Sequence, residues 1–271
     1  MSKLPRLSIR GGNGIGDAVY IYPVVTHFLA KGHEIEVCTR WPEIFSQIDV
    51  QISKFRRDRI TNLAHYTTRK GVSGTSQFRD VCINGGIPEP IEFKYDWTPV
   101  NRGLFDRVRS FPRPVVAVAM PRNPMGRTDG FGKEILPTRQ GYQAALNALN
   151  GAGAYTIMIG AGPAIYRLDG CSEDLTNKTT LTDMLDVAFA VDGFFGFCSN
   201  FVPLAESQNK PALFVWARKN INAPNAFIRR ITPQKVLDRA SSKWVFDDSS
   251  AAEVEAAATN FVSAMATRPT T

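Results

Sequence analysis

Apolar residues in this chain fall into short unbroken runs separated by stretches in which they recur every three or four positions. That alternation of buried strand and amphipathic helix is the pattern of a βα series. Leu-Ser-Ile-Arg at 7–10 predicts a first strand, 17–30 a helix, 34–39 a second strand, 41–45 a short helix and 50–55 a third strand. Val19, Pro23, Val24, His27 and Phe28 lie close to one face of the first helix, which Pro23 is placed to kink. From 56 to 86 the pattern weakens. A polar run at 67–76, following His65 and Tyr66, predicts a loop, and 78–84 a short helix.

The stretch 97–114 carries Pro99, Pro112, Pro114 and several arginines and reads as a domain boundary. A second series comes after it. Strands are predicted at 115–120, 155–159, 193–197 and 212–216, and helices at 138–149, 180–190 and 202–207. Leu181, Met184, Leu185, Ala188 and Phe189 keep helical phase, and Thr180 with Asp183 resembles a capping box. A last stripe, Val254, Ala257, Ala258, Phe261, Val262 and Met265, predicts a closing helix. The expected fold is therefore a two-lobed α/β protein, two βα halves joined by a proline-rich hinge. The first lobe spans 1–110 and the second 111–250, with the closing helix in 251–271. Folds of this kind bind ligands at the carboxyl ends of their strands.

Chemistry concentrates in Gly11-Gly12-Asn13-Gly14-Ile15-Gly16-Asp17, between the first strand and the first helix. Gly12, Gly14 and Gly16 let backbone approach a ligand, and the helix N-terminus adds orphan donors. A P-loop is excluded, because Asp17 occupies the lysine position and repels phosphate. The dinucleotide fingerprint fails by one residue in its third glycine and lacks an acid after the second strand. Arg40 at that place leaves an NADP-dependent oxidoreductase as an alternative. The 271 residues carry a net charge of +7, which favours an anionic partner. The arginine groups 56-57-59, 107-109-113 and 229-230 are candidates for tracking nucleic-acid phosphates. Cys38, Cys82, Cys171 and Cys198 are scattered, without metal-ligand spacing or a disulfide framework. The N-terminal residues have no apolar core, and no run is long enough to span a bilayer. A cytoplasmic location is expected, with peripheral membrane contact left open.

Gly14-Ile15-Gly16-Asp17-Ala18-Val19-Tyr20, with Pro23 after it, resembles the N-terminal signature of the ADP-heptose:lipopolysaccharide heptosyltransferases and the wider glycosyltransferase family 9. Asp174-Leu175-Thr176-Asn177-Lys178-Thr179-Thr180-Leu181 resembles that family's Asp-Leu-Thr-Gly-Lys-Thr-Ser-Leu run. Residues 192–205 resemble its strand and donor turn, and 210–216 the strand that comes next. The resemblance covers 7–39 and 115–216. It implies a GT-B fold, α/β with two Rossmann-like lobes whose mostly parallel sheets face across a cleft and a C-terminal helix that packs back towards the first lobe. It also implies a metal-independent, inverting transfer of sugar from a nucleotide-diphosphate sugar, with no further cofactor. Asp17 matches the family's proposed base. Lys133, Arg122, Arg127, Thr180, Ser199 and Asn200 match or flank its donor-binding positions. The implied acceptor is an anionic glycan or lipopolysaccharide, or a hydroxymethylated DNA base. Cys198 and Pro203 stand where the family carries Asp and His, Leu136 where it carries Trp, and no acid follows the turn at 160–163. A degenerate, non-catalytic sugar-nucleotide-binding protein is the alternative within the same resemblance.

Overall fold

A computed structural model describes residues 4–53, 60–63, 76–89, 91–123, 133–224, 231–237 and 239–266. The chain divides into two units, Met1–Asp96 and Trp97–Thr271.

The first unit is built on strands β1 (Leu7–Arg10), β2 (Ile35–Cys38), β3 (Gln51–Ser53) and β4 (Ile60–Asn62). They form one parallel sheet in the order β3-β2-β1-β4, with Ser8 paired to Glu36 on one side and to Ile60 on the other. Helix α1 (Ile15–Ala30) comes after β1, and α2 (Gln77–Asn84) packs beside it. The helix runs on through Pro23, which leaves the Val19 carbonyl without its usual donor. Eight consecutive residues, Ala18 to Val25, are buried, so α1 is enclosed on all sides and not on one stripe. Aromatic rings close the core around it. Tyr22 meets Tyr95 edge-on at 4.7 Å, and Phe93 stacks between Tyr20 (5.1 Å) and Phe78 (4.4 Å). β4 is three residues long and lies outside the predicted series. Its place beside β1 makes the chain cross from one flank of the sheet to the other.

The second unit begins with α3 (Arg102–Arg109), which lies ahead of the boundary expected from the sequence. The helix packs on α5 (Leu181–Ala190), and this contact ties residues 97–109 to the rest of the second unit. Strands β5 (Val115–Ala119), β6 (Tyr155–Ile159), β7 (Glu173–Asp174), β8 (Gly193–Gly196), β9 (Ala212–Trp216) and β10 (Ser242–Phe246) form a parallel sheet in the order β10-β9-β8-β5-β6-β7. This is the doubly wound order, three strands out one way and three the other. Every residue of β5 and β9 is buried, as expected for parallel strands covered on both faces. Helix α4 (Arg139–Gly151) leads from β5 to β6 and α6 (Phe201–Ser207) from β8 to β9, while short α7 (Arg218–Ile221) and α8 (Pro233–Val236) precede β10. The closing helix α9 (Ala251–Ala266) buries Val254, Ala258, Phe261 and Met265. It lies on α4, β9 and β10, within the second unit. Gly193 admits this packing: a Cβ there would stand 2.6 Å from Met265 Sδ and 3.0 Å from Phe261 Cζ.

Candidate active site

In each sheet the chain reverses its direction of winding once, and the loops at the carboxyl ends of the two strands flanking that reversal splay apart into a crevice. In the first unit the flanking strands are β1 and β4; in the second they are β5 and β8.

The glycine turn leaves β1 at the first of these points. Gly11 is needed for space: a Cβ would meet Ile21 Cγ2 at 3.0 Å and the Asp17 carbonyl at 3.2 Å. Gly14 has an ordinary extended backbone (φ −86°, ψ 158°), but a Cβ would press within 3.2 Å of Asp17 Oδ2. The glycines thus bring the turn down onto the first turn of α1. Asp17 is half-buried at the third helical position, and its Oδ2 accepts from the Gly14 N–H at 2.9 Å. One donor of the turn is therefore already taken by the carboxylate. A pyrophosphate lying on this turn would have to displace it. The helix N-terminus sets a partial positive charge beside this carboxylate. Trp41, shortly after β2, donates from Nε1 to the Asn13 carbonyl at 2.9 Å and pins the turn from its other side. Arg40 beside it is exposed. No motif in the sequence singles out Trp41; its one signal is an aromatic residue near the end of the second strand of a βα unit.

At the second point, Arg122 leaves β5 and Ser199 and Asn200 leave β8. Arg122 is exposed and donates from Nη1 to the Ala161 carbonyl at 2.6 Å. Ser199 Oγ accepts from Phe201 N (3.3 Å), and the Ser199 carbonyl from Val202 N (3.2 Å). Asn200 caps α6 through its carbonyl, while its Nδ2 lies 3.8 Å from Met184 Sδ. Lys133 is exposed in a one-turn 3₁₀ segment, Lys133–Ile135, in the connection after β5. Leu136 next to it is buried. Arg127 lies outside the described residues, as do the arginines at 56-57-59 and 229-230. In the third arginine group, Arg107 pairs with Glu173 (2.6 Å) and Arg113 with Asp192 (2.7 Å), so both are occupied by structural partners.

Thr180 has a local task. Its hydroxyl accepts from Asp183 N and donates to Asp183 Oδ2, and its own N–H reaches the same carboxylate. Burial raises the Asp183 carboxyl, but the bonds from Thr180 and Asn101 outweigh it and leave the group below its ordinary value. An open polar groove of about 580 Å³ lies on this flank, lined by Asn101, Leu104, Arg107, Lys178, Thr179 and Asp183. Pro203 is buried within α6, and Cys198 is half-buried at the end of β8. Among the described residues no group of three or more His, Cys, Asp or Glu side chains has the spacing to hold a metal ion, and no helix is long and apolar enough to cross a membrane.

No family model and no curated protein matches the sequence. Solved structures do. A glycosyltransferase family 9 protein from Veillonella parvula superposes with a TM-score of 0.64 at 9% identity, covering 97% of this chain and 99% of that one. The E. coli ADP-heptose lipopolysaccharide heptosyltransferase II gives 0.59 at 11% identity, covering 96% and 99%. The E. coli glycosyltransferase TibC, described as iron-containing and dodecameric, gives 0.59 at 14% identity over 89% of this chain. This chain spans only 65% of that TibC chain, and 63% of the TibC chain solved with ADP-D-β-D-heptose. At these identities it is the architecture that is shared: the fold is that of the GT-B glycosyltransferases, and it resembles family 9 in particular.

Proposed function

We propose that this chain is an inverting glycosyltransferase that moves a sugar from a nucleotide-diphosphate sugar to an acceptor hydroxyl. The observation that carries the reading is topological. Asp17 and, of the residues predicted to hold the donor, Arg122, Ser199 and Asn200 stand next to the winding reversals of two separate sheets, where such folds take their ligands. The solved structures of E. coli WaaC with ADP and of TibC with ADP-heptose add support for a nucleotide-sugar donor.

In this mechanism Asp17 accepts the proton of the acceptor hydroxyl. The freed oxygen attacks the anomeric carbon on the face opposite the diphosphate. The new C–O bond forms as the bond to the diphosphate oxygen breaks, so configuration inverts. Charge growing on the leaving diphosphate is met by Arg122, Arg127 and Lys133 and by the backbone N–H groups of the Ser199–Asn200 turn. The net charge of +7 suits an anionic glycan acceptor.

Two measurements test this. In a thermal-shift panel, a nucleoside diphosphate or its sugar raises the melting temperature. Stabilisation by NADP alone would overturn the proposal in favour of the oxidoreductase. With the donor so found, Asp17→Asn lowers transfer by roughly 10²–10⁴-fold while shifting the melting temperature by less than about 4 °C. Unchanged transfer with a lowered melting temperature would reduce Asp17 to a helix cap. Duplex DNA enters the panel as an acceptor arm, and steeply salt-dependent binding would move the acceptor from glycan to DNA.

A further inference from the structure

Asn177 stands where the resembling motif has glycine, and it keeps glycine's conformation, with φ at 57°. Asparagine tolerates that left-handed region, and unlike glycine it brings a side chain there. The side chain is used on the neighbouring turn. Asn177 Oδ1 accepts from Gly162 N at 2.7 Å, Nδ2 donates to the Gly162 carbonyl at 3.3 Å, and the Asn177 backbone N–H donates to the Gly160 carbonyl at 2.8 Å. From the opposite side Arg122 holds the Ala161 carbonyl. Residues 161–165 are all exposed, so no core packing fixes this turn; these bonds hold its first half, and the Ile165 N–H, donating to the Pro121 carbonyl at 2.8 Å, holds its end.

The position of the turn gives the clasp its use. It closes the carboxyl end of β6, the second strand of a doubly wound unit. In such units the ribose of a bound nucleotide lies at the end of the second strand, commonly against an acid. This chain has no acid at 160–163. From the turn after β8 to the end of β6 is two strand spacings, roughly 10 Å, which is within the reach of a nucleoside diphosphate held by its phosphates at β8.

We propose that Asn177 is a positioning residue for the nucleoside end of the donor: it fixes the turn at 160–162 in the shape that receives the ribose in place of a carboxylate. The inference rests on the nucleotide-sugar reading above.

Titration calorimetry of the full chain with ADP, UDP and inorganic pyrophosphate tests it. Asn177→Gly keeps the backbone conformation and deletes both side-chain bonds. It weakens the preferred nucleoside diphosphate about tenfold, as expected for two hydrogen bonds of ordinary net strength, and leaves pyrophosphate affinity within about twofold. Asn177→Asp retains the acceptor for Gly162 N–H and falls between glycine and wild type. Equal loss of both ligands in Asn177→Gly would make the clasp merely structural, and no loss of either would refute it. Should Asn177→Gly fail to fold, Asn177→Asp decides on the same ratio. A wild-type chain that binds none of the three overturns the donor reading itself, which is a different result from a wild type that binds and a variant that binds equally well.

Discussion

Asp186 is the side chain whose replacement most directly tests how the second unit is assembled. It is fully buried on α5, yet accepts three hydrogen bonds from the head of that unit: Trp97 Nε1 at 2.6 Å, Val100 N at 3.0 Å and Asn101 N at 2.6 Å. Two of these donors are backbone groups with no helical partner, because α3 starts only at Arg102. Hydrogen bonds to a charged acceptor contribute about 1.5–3 kcal/mol each, and a buried donor left without a partner costs about 1–3 kcal/mol. Water reaches the part-buried Val100 and Asn101 amides in a truncated variant, so the three losses do not sum in full. Asp186→Ala is therefore expected to cost about 3–5 kcal/mol, or roughly 6–20 °C in melting temperature for a unit of this size. Asp186→Asn retains one acceptor but turns an NH₂ towards a donor, and falls at about half that cost. Urea unfolding followed by tryptophan fluorescence measures the stability, and amide exchange at Val100 and Asn101 localises it. If both variants stay within about 0.5 kcal/mol of wild type with exchange unchanged, the carboxylate is not the anchor and the reasoning fails.

Gly141→Ala puts a Cβ 2.0 Å from the Asp247 carbonyl oxygen, a backbone atom whose residue also receives Thr138 N and Arg218 N. A loss of about 3 kcal/mol or more is expected in chemical denaturation, and a neutral variant would mean that α4 does not seat there. Burial pushes the Cys82 thiol up to about 11. About one molecule in a thousand is then thiolate at pH 8, so Cys82 should resist an aromatic disulfide reagent until urea unfolds the chain. Burial first, and Lys31 second, lower the His27 imidazole from 6.5, and its Nε2 has no hydrogen-bond partner among the described residues. The folded state then binds a proton less readily than the unfolded chain. Its contribution is complete above pH 6.5 and is lost as pH falls below that value. Urea midpoints at pH 7.5 and 5.5 should differ less in His27→Gln than in wild type, where only the unfolded chain takes up the proton over roughly that range.

The parts of the fold that are legible in the sequence are those whose signal is burial. β5, β6, β8 and β9 are mostly apolar runs, which parallel strands covered on both faces produce, while β1 and β2 show as short alternations, Leu-Ser-Ile-Arg and Ile-Glu-Val-Cys, on either side of the first helix. The parts that escape it are short, polar or at an edge. β4 is Ile-Thr-Asn, β7 is two residues, and β10 opens on Ser242 and Lys243 at the rim of its sheet. α3 buries only Val108 and otherwise presents arginines, so it reads as linker. Asp186 does leave a trace: it is the one acid within the otherwise apolar run Met184–Ala190. α5 is enclosed because α3 covers its outer side, and a buried carboxylate there implies donors from another segment.

The candidate site is legible for a different reason. Asp17 and the glycines stand out because local sterics demand them. What the residue types could not give is which loops share one end of a sheet, since that depends on β4 pairing with β1 and β8 with β5, contacts remote in sequence. Once those pairings are known, the departures from the resembling family become coherent. No acid follows β6, and Asn177, from the neighbouring turn after β7 and at a place where the family motif has glycine, ties that backbone down. Under the proposed donor reading, a turn without a carboxylate and with its backbone tied to Asn177 would hold the nucleoside end by shape more than by charge. Such a clasp would serve a non-catalytic sugar-nucleotide-binding protein as well as an enzyme, so the transfer assay on Asp17→Asn, and not the clasp, separates the two.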